Sequence, residues 1–172
     1  DYENAVKNFK KSVKLINDSY SNRMLGTMYE EGIFVDQDYS LAIKHYEVAA
    51  KSNELASLES LGHLYFNGYG VKKDIKKAYN YWSKAAELGS STGTSNLGII
   101  YYNGYPEYPR DYKKAFDYFQ KAYKMDDDFA CGHLANMYFE GYGVTKDLEK
   151  GYNLIKSAKG TVLTTKTFTY NS

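Results

Sequence analysis

Side chains that can ligate metals or act as nucleophiles are few in this sequence, and their spacing argues against a catalytic centre. His45, His63 and His133 lie in different stretches, and none has a second histidine four residues away, as a helical metal site would require. Cys131 and His133 are two residues apart, so on a helix their side chains diverge. The sequence therefore predicts no enzyme activity, no bound metal and no cofactor.

Adjacent carboxylates are also weak candidates for chemistry. Glu30 and Glu31 are neighbours that point in different directions on a helix, which argues against a general acid and base pair. The run Asp126–Asp128 lacks the spacing of a calcium loop. Acidic residues are favoured at a helix start by the helix dipole, so this run is interpreted as the beginning of a helix.

The stretches that carry these residues repeat along the chain. Gly26, Gly62 and Gly98 recur at a spacing of about 36 residues, and Ala135 takes the same place in a fourth copy. Other columns keep the same register: Tyr29, Tyr65, Tyr101 and Tyr138; Gly32, Gly68, Gly104 and Gly141; Asp38, Asp74, Asp111 and Asp147; Ala42, Ala78 and Ala115, with Gly151 as the exception. A period in the thirties is typical of stacked helix pairs.

One copy, residues 61–86, shows why each repeat should form two helices. Apolar residues from Leu61 to Tyr65 lie at helical spacing and predict a first helix. Gly68 can end this helix with a positive φ, and Asp74 can cap the start of a second one. The second stripe follows at helical offsets in Ala78, Tyr81, Trp82, Ala85 and Ala86. A single pair cannot bury both its faces, whereas stacked pairs can.

The string LGHLYFNGYGVKKDIKKAYNYWSKAA, from Leu61 to Ala86, strongly resembles the Sel-one-like repeat, a relative of the tetratricopeptide repeat. The resemblance implies an all-α fold, a right-handed α/α superhelix (solenoid) of about four and a half repeats. It places a half repeat at 1–18 and repeats at about 20–53, 54–89, 90–125 and 127–160. It also implies a non-enzymatic adaptor or scaffold for protein assembly.

Two loops depart from the pattern. Phe34 replaces the second loop glycine, which predicts either a different backbone path or a buried ring, because a side chain is strained at positive φ. The loop Tyr105–Arg110 contains both prolines of the chain. It is either a rigid spacer or an aromatic protrusion that contacts a partner.

Bulk properties favour a protein or peptide as the partner. The 172 residues include 22 basic and 21 acidic ones, so no net charge favours nucleic acid or an anionic membrane. No apolar run is long enough to span a membrane. Twenty tyrosines supply amphipathic rings of the kind enriched at protein interfaces.

The resemblance implies that the first helices of the repeats line the concave wall of the superhelix. The predicted partner-binding residues are Arg23, Thr27, Glu30, Glu59, His63, Phe66, Asn67, Ile99, Tyr102, Asn103, Asn136, Phe139 and Glu140. Phe66, Tyr102 and Phe139 would form a ladder of rings in this groove. The alternative is that these rings help to pack neighbouring helices.

The two ends suggest a second possibility, self-assembly into a homodimer through the open first helix and the tail. The chain begins in mid-repeat, which indicates a piece of a larger protein, and residues 161–172 form a threonine-rich tail expected to be extended. The settings implied by the resemblance are endoplasmic-reticulum quality control, activation of cell-wall synthesis and bacterial contact with a host. The sequon at Asn17 favours the first of these.

Overall fold

The computed structural model describes residues 4, 6–9, 11 and 18–157. These residues form α-helices joined by short loops, and the stretch described contains no β-strand, only an isolated bridge between Tyr105 and Tyr108. The predicted all-α repeat fold is confirmed. The helices from residue 19 onwards are α1 Ser19–Glu31, α2 Tyr39–Ala50, α3 Leu55–Asn67, α4 Ile75–Glu87, α5 Ser91–Asn103, α6 Tyr112–Tyr123, α7 Asp128–Glu140 and α8 Leu148–Ser157.

The chain divides into two compact units, Asp1–Gly93 and Thr94–Ser172, with the boundary inside α5. In the first unit α1 packs on α2, α2 on α3, and α3 on α4. In the second unit α6 packs on α7 and α7 on α8. Each unit therefore buries its apolar stripes through successive helix pairs. No helix among the described residues is both long and apolar enough to cross a membrane.

The predicted caps define the helix ends. The Asp74 carboxylate accepts a hydrogen bond of 2.8 Å from the Lys77 backbone N–H at the start of α4. Asp38, Asp111 and Asp147 accept the equivalent bond in the other repeats. Gly68 ends α3 with φ of 79°. These side chains satisfy backbone groups that a helix terminus would otherwise leave unpaired.

Glycines of the first helices allow a close crossing with the second helices. A Cβ added to Gly26 would lie 2.6 Å from the Tyr46 ring, and one added to Gly98 would lie 2.9 Å from the Phe119 ring. A Cβ at Gly62 would likewise collide with Trp82. The ring of each second helix thus fills the space that the missing side chain leaves.

The fourth repeat reverses this arrangement. Its first helix has Ala135 in the glycine column, and its second helix has Gly151 in the alanine column. A Cβ at Gly151 would collide with the ring of Phe139. The filling ring therefore comes from the first helix in this repeat, which explains why both columns change together.

The expectation for Phe34 is wrong. Its φ of 60° resembles the 66° of Gly70, the equivalent loop residue in the next repeat. Its ring is 48% exposed, so it is not buried either. The loop keeps its path because the Ile33 N–H donates to Met28 O at 3.0 Å and the Asp38 N–H to Tyr29 O at 2.9 Å. Phe34 therefore tolerates the strain of a position that suits glycine.

The loop with the prolines is a tight hairpin. The Tyr105 N–H donates to Tyr108 O at 2.8 Å, and the Tyr108 N–H donates to Tyr105 O at 3.0 Å. The Tyr108 ring packs edge-on against Tyr101, with 6.2 Å between ring centroids. The loop is therefore anchored to α5.

Two predicted segments lie mostly or wholly outside the described residues. Of the half repeat 1–18, residues 6–9 are helical, and Val6 is buried against Leu25 and Met28. Asn17 of the sequon and the tail 161–172 lie outside the described stretches of the chain.

Candidate protein-binding surface

Arg23 links two repeats by an ion pair. Its Nε lies 3.3 Å from Oε1 of Glu54, the residue that precedes α3. Glu54 caps that helix, because its Oε2 accepts a hydrogen bond of 2.7 Å from the Ser57 N–H. Arg23 thus orients the residue that starts the first helix of the next repeat.

Glu59 forms the corresponding link in the following repeat. Its Oε1 accepts a hydrogen bond from the Ser90 hydroxyl. The Ser90 Oγ in turn accepts a hydrogen bond of 2.7 Å from the Gly93 N–H at the start of α5. Of the predicted surface residues, Arg23 and Glu59 therefore hold helix starts in place.

Thr27 and Glu30 contact Tyr46 on the second helix of their own repeat. The Tyr46 hydroxyl lies 2.6 Å from Glu30 Oε2, to which it donates, and 3.1 Å from Thr27 Oγ1. Burial and the Glu30 carboxylate raise the pKa of Tyr46 well above its usual range. The hydroxyl therefore stays protonated and remains a donor.

The three rings of the predicted ladder are half-buried, and each packs within its own repeat. The centroid of Phe66 lies 5.2 Å from that of Trp82, and Phe139 lies 5.1 Å from Tyr152. Tyr102 lies 6.4 Å from Phe119. These contacts give each ring a packing role against a second helix.

Two pairs of stacked tyrosines form a feature that was not predicted from the sequence. Tyr39 and Tyr69 stack with 5.3 Å between centroids in the first unit, and Tyr112 and Tyr142 stack at 4.5 Å in the second. In each pair, one tyrosine follows the capping aspartate of a repeat and the other follows the capping glycine of the next. Aligning the residues after Asp38 and Gly68 would have shown the recurrence.

Predicted residues surround the first of these pairs. The His63 ring packs edge-on against Tyr69, with 5.8 Å between centroids. The Asn67 side chain donates to the His63 carbonyl at 2.9 Å. His63, Asn67 and Tyr69 are all exposed, while Tyr39 is half-buried. We call these four residues the Tyr69 surface.

A corresponding cluster surrounds the second pair. The Tyr102 ring packs edge-on against Tyr112, with 5.4 Å between centroids. The Asn136 amide donates to the Tyr102 hydroxyl at 3.0 Å, which joins α7 to α5. We call Tyr102, Tyr112, Asn136 and Tyr142 the Tyr142 surface. All four are partly exposed.

The remaining predicted residues, Ile99, Asn103 and Glu140, do not belong to either tyrosine surface. Ile99 packs against the core of the second unit. Asn103 is exposed, and its carbonyl accepts a hydrogen bond of 3.0 Å from Arg110 Nη2. Glu140 is exposed at the end of α7. The thirteen predicted residues thus divide into structural links and a smaller set that solvent reaches.

Within the described residues, no group of histidine, cysteine and carboxylate side chains could hold a metal ion. Cys131 is buried, and its thiol donates to the Leu154 carbonyl at 3.1 Å. Burial raises the pKa of this thiol. A protonated, buried thiol is a packing residue and a poor nucleophile.

Comparison with known proteins agrees with this helical repeat architecture. The Sel1 repeat model matches residues 19–54, 56–90, 93–127 and 129–159. The chain belongs to the Sel1 repeat family. Sel1 repeats are in general scaffolds for protein–protein interaction, and Sel1 repeat proteins are typically not enzymes.

Solved Sel1-type structures resemble the chain closely. A protective antigen of uropathogenic Escherichia coli strains with an SLR fold is 32% identical, with a TM-score of 0.82 over 92% of this chain and 33% of its own. A Sel1 repeat protein from Oxalobacter formigenes is 31% identical, with a TM-score of 0.83 over 92% of this chain and 64% of its own. The chain therefore spans less than two thirds of either protein.

A third structure, cysteine rich protein B of Helicobacter pylori, is 32% identical, with a TM-score of 0.53 over 68% of this chain and 83% of its own. No curated protein matches the chain.

Proposed function

We propose that this Sel1 repeat protein binds an extended segment of a partner protein at the Tyr69 surface of its first unit or at the Tyr142 surface of its second unit. The observation that carries the proposal is the stacked tyrosine pair that recurs in both units beside a first-helix residue. In the first unit His63 lies beside Tyr69, and in the second Asn136 is bonded to Tyr102, which packs on Tyr112 and Tyr142.

The chemistry of the two surfaces suits an extended peptide. Ring faces accept apolar or proline side chains, while the Asn67 and Asn136 amides can pair with a peptide backbone. Stacking already orders the rings, so binding costs less side-chain entropy than it would for isolated tyrosines. Arg23, Glu59, Thr27 and Glu30 act in this proposal as supports that fix the helices.

The test uses random peptides displayed on phage and selected on the intact protein. Selected peptides are then measured against the double variant His63→Ala/Tyr69→Ala and against Tyr142→Ala. We expect at least one of the variants to lose about tenfold or more in affinity, since deleting an aromatic anchor removes a central contact. Tyr20→Ala, which removes a tyrosine that is 58% exposed elsewhere in the first unit, is the control.

Circular dichroism separates a binding effect from unfolding. Full helical signal with lost affinity supports the proposal. Selected peptides that bind the variants and Tyr20→Ala as tightly as the unmodified protein would refute it, as would a selection that enriches no peptide.

Self-association is a second candidate, and exposure at the last described helix favours it. Tyr152 is 66% exposed, whereas the equivalent residues Ile43 and Phe116 are 7% and 9% exposed and Tyr79 is half-buried. Phe116 is covered by Tyr138 of the following repeat, with centroids 5.5 Å apart. A second copy would cover Tyr152 in the same way. Sedimentation over a range of concentrations tests this, with Tyr152→Ser expected to shift a dimer to monomer.

The setting belongs to the proposal as well. The three solved structures compared above come from bacteria, and one is a protective antigen of uropathogenic strains. Among the settings that the sequence resemblance implies, these relatives favour bacterial contact with a host over endoplasmic-reticulum quality control.

A further inference from the structure

An open groove lies on the second unit between α6 and α8, with α7 as its floor. Its volume is about 460 Å³. Leu134 and Tyr138 of α7 supply apolar side chains to the floor, and Leu154 adds one from α8. The Tyr123 hydroxyl of α6 lies 3.3 Å from the Ser157 hydroxyl of α8. None of the residues of the Tyr142 surface lines the groove. The groove is therefore a separate feature from the proposed peptide surface.

The charged side chains that line this groove are both positive. Lys124 and Lys150 line it, and none of its described lining residues carries a carboxylate. Lys150 forms an ion pair of 3.2 Å with Asp147, which offsets some of its charge. Lys124 makes no ion pair with any described residue of the chain. The rim therefore presents a net positive charge above an apolar floor.

We propose that this groove binds an acidic amphipathic helix of a partner protein. Two helices form its edges, which is the geometry in which a third helix inserts apolar side chains at i, i+3 and i+4. The volume accommodates a few such side chains while the backbone of the guest helix stays outside. Glutamates on the flanks of the guest would face Lys124 and Lys150.

Charge complementarity selects this occupant over other guests. A basic helix would place its lysines beside Lys124 with no carboxylate of the groove to pair with. A neutral apolar helix would leave Lys124 without a partner that repays its desolvation. An acidic amphipathic helix would place apolar side chains on the floor of the groove and carboxylates beside the lysines of its rim.

The experiment uses a fluorescein-labelled synthetic peptide with leucines on one helical face and glutamates on its flanks. Fluorescence anisotropy with the intact protein measures its affinity at low and high salt. We expect Lys124→Glu to weaken binding about tenfold, and added salt to weaken binding to the unmodified protein. The matched control is Lys121→Glu, three residues earlier on α6, which does not line the groove.

A second peptide with lysine in place of each glutamate keeps the leucine face and reverses the charge. It should bind at least tenfold more weakly than the acidic peptide. The proposal fails if the two peptides bind alike, or if Lys121→Glu weakens binding as much as Lys124→Glu. It also fails if the groove binds laurate, a fatty acid with an apolar chain and a carboxylate, but not the acidic peptide. The double variant His63→Ala/Tyr69→Ala should bind the acidic peptide normally, which keeps this result separate from the test of the tyrosine surfaces.

Discussion

His133 shows how packing decides the chemistry of a single residue. Its ring stacks on Phe119 with 4.5 Å between centroids and packs edge-on against Phe129 at 4.7 Å. Burial lowers the pKa of His133 to about 4, although the nearby Asp127 acts in the opposite direction. The imidazole is therefore neutral at pH 7 and behaves as an aromatic packing residue.

Because His133 is harder to protonate in the folded protein, stability should depend on pH. An unfolded histidine has a pKa of about 6.5, so between that pH and about 4 the unfolded state binds more protons. The contribution of neutral, packed His133 to the free energy of unfolding is therefore complete above pH 6.5, and it is lost as the pH falls towards 4. We expect urea unfolding at pH 5 to show a free energy lower by about 1–2 kcal/mol than at pH 7.

The control for this prediction is His133→Phe, which keeps a ring in the stack and removes the titration. The difference between pH 5 and pH 7 should shrink in this variant, although His45 and His63 remain. An equal difference in both proteins would show that another group is responsible.

The role of His133 could not be predicted from sequence, and the reason is physical. Spacing alone was sufficient to argue against a metal site at this residue. Its neutral state depends on Phe119, which α6 supplies, and on Phe129 one turn before it. A contact of this kind requires the distance between helices, which the sequence does not state.

At the scale of helices, the fourth repeat predicts an energetic coupling between Gly151 and Phe139. Gly151→Ala should destabilise the protein by about 1–3 kcal/mol, because the new Cβ would collide with the Phe139 ring. In a Phe139→Leu background the same change should cost much less, since the smaller side chain leaves room. A double-mutant cycle from urea unfolding measures the coupling, and purely additive effects would contradict the contact.

Loop glycines offer a second comparison between matched sites. Gly70 has φ of 66° and Gly89 has φ of 91°, so alanine is strained at both. An added Cβ at Gly70 would lie 2.7 Å from the Tyr39 carbonyl carbon, whereas at Gly89 it would meet no described atom within 4 Å. Gly70→Ala should therefore cost at least about 1 kcal/mol more than Gly89→Ala. Equal melting temperatures for the two variants would show that Gly70 does not pack closely against the start of α2.

Helices and their ends were the features best predicted from sequence, because their signals are local. Asp74 and Gly68 act within a few residues of the ends that they cap. The stacked pair of Tyr39 and Tyr69 was missed because its members belong to different repeats. Phe34 was mispredicted because hydrogen bonds of the surrounding loop outweigh the preference of one residue.

At the scale of the whole chain, a relative named for its cysteines makes a useful contrast. The chain has one cysteine, Cys131, which is 1% exposed. No disulfide can form within it, so cohesion between repeats depends on packing, hydrogen bonds and the ion pair of Arg23 with Glu54. We expect the melting temperature to be the same with and without dithiothreitol. A lower value under reducing conditions would reveal an intermolecular disulfide that requires Cys131 to be accessible.

The repeat family could be predicted from sequence because columns of glycine, tyrosine and aspartate recur in each copy. Much less of the candidate surface could be predicted. His63, Asn67 and Asn103 are exposed, while Arg23 and Glu59 bond to residues that start a neighbouring helix. Column position identifies the side of a helix, but the neighbour in the next repeat decides whether a side chain is available.

The links made by Arg23 and Glu59 also restrict how such genes can recombine. Arg23 meets a carboxylate at Glu54, and Glu59 meets a hydroxyl at Ser90, so each junction has its own pair. If the second repeat were duplicated in tandem, Glu59 would face a copy of Glu54, and two carboxylates would repel where a bond now forms. Units with the same fold are therefore not interchangeable, and a duplication in this chain would require a compensating substitution at the new junction.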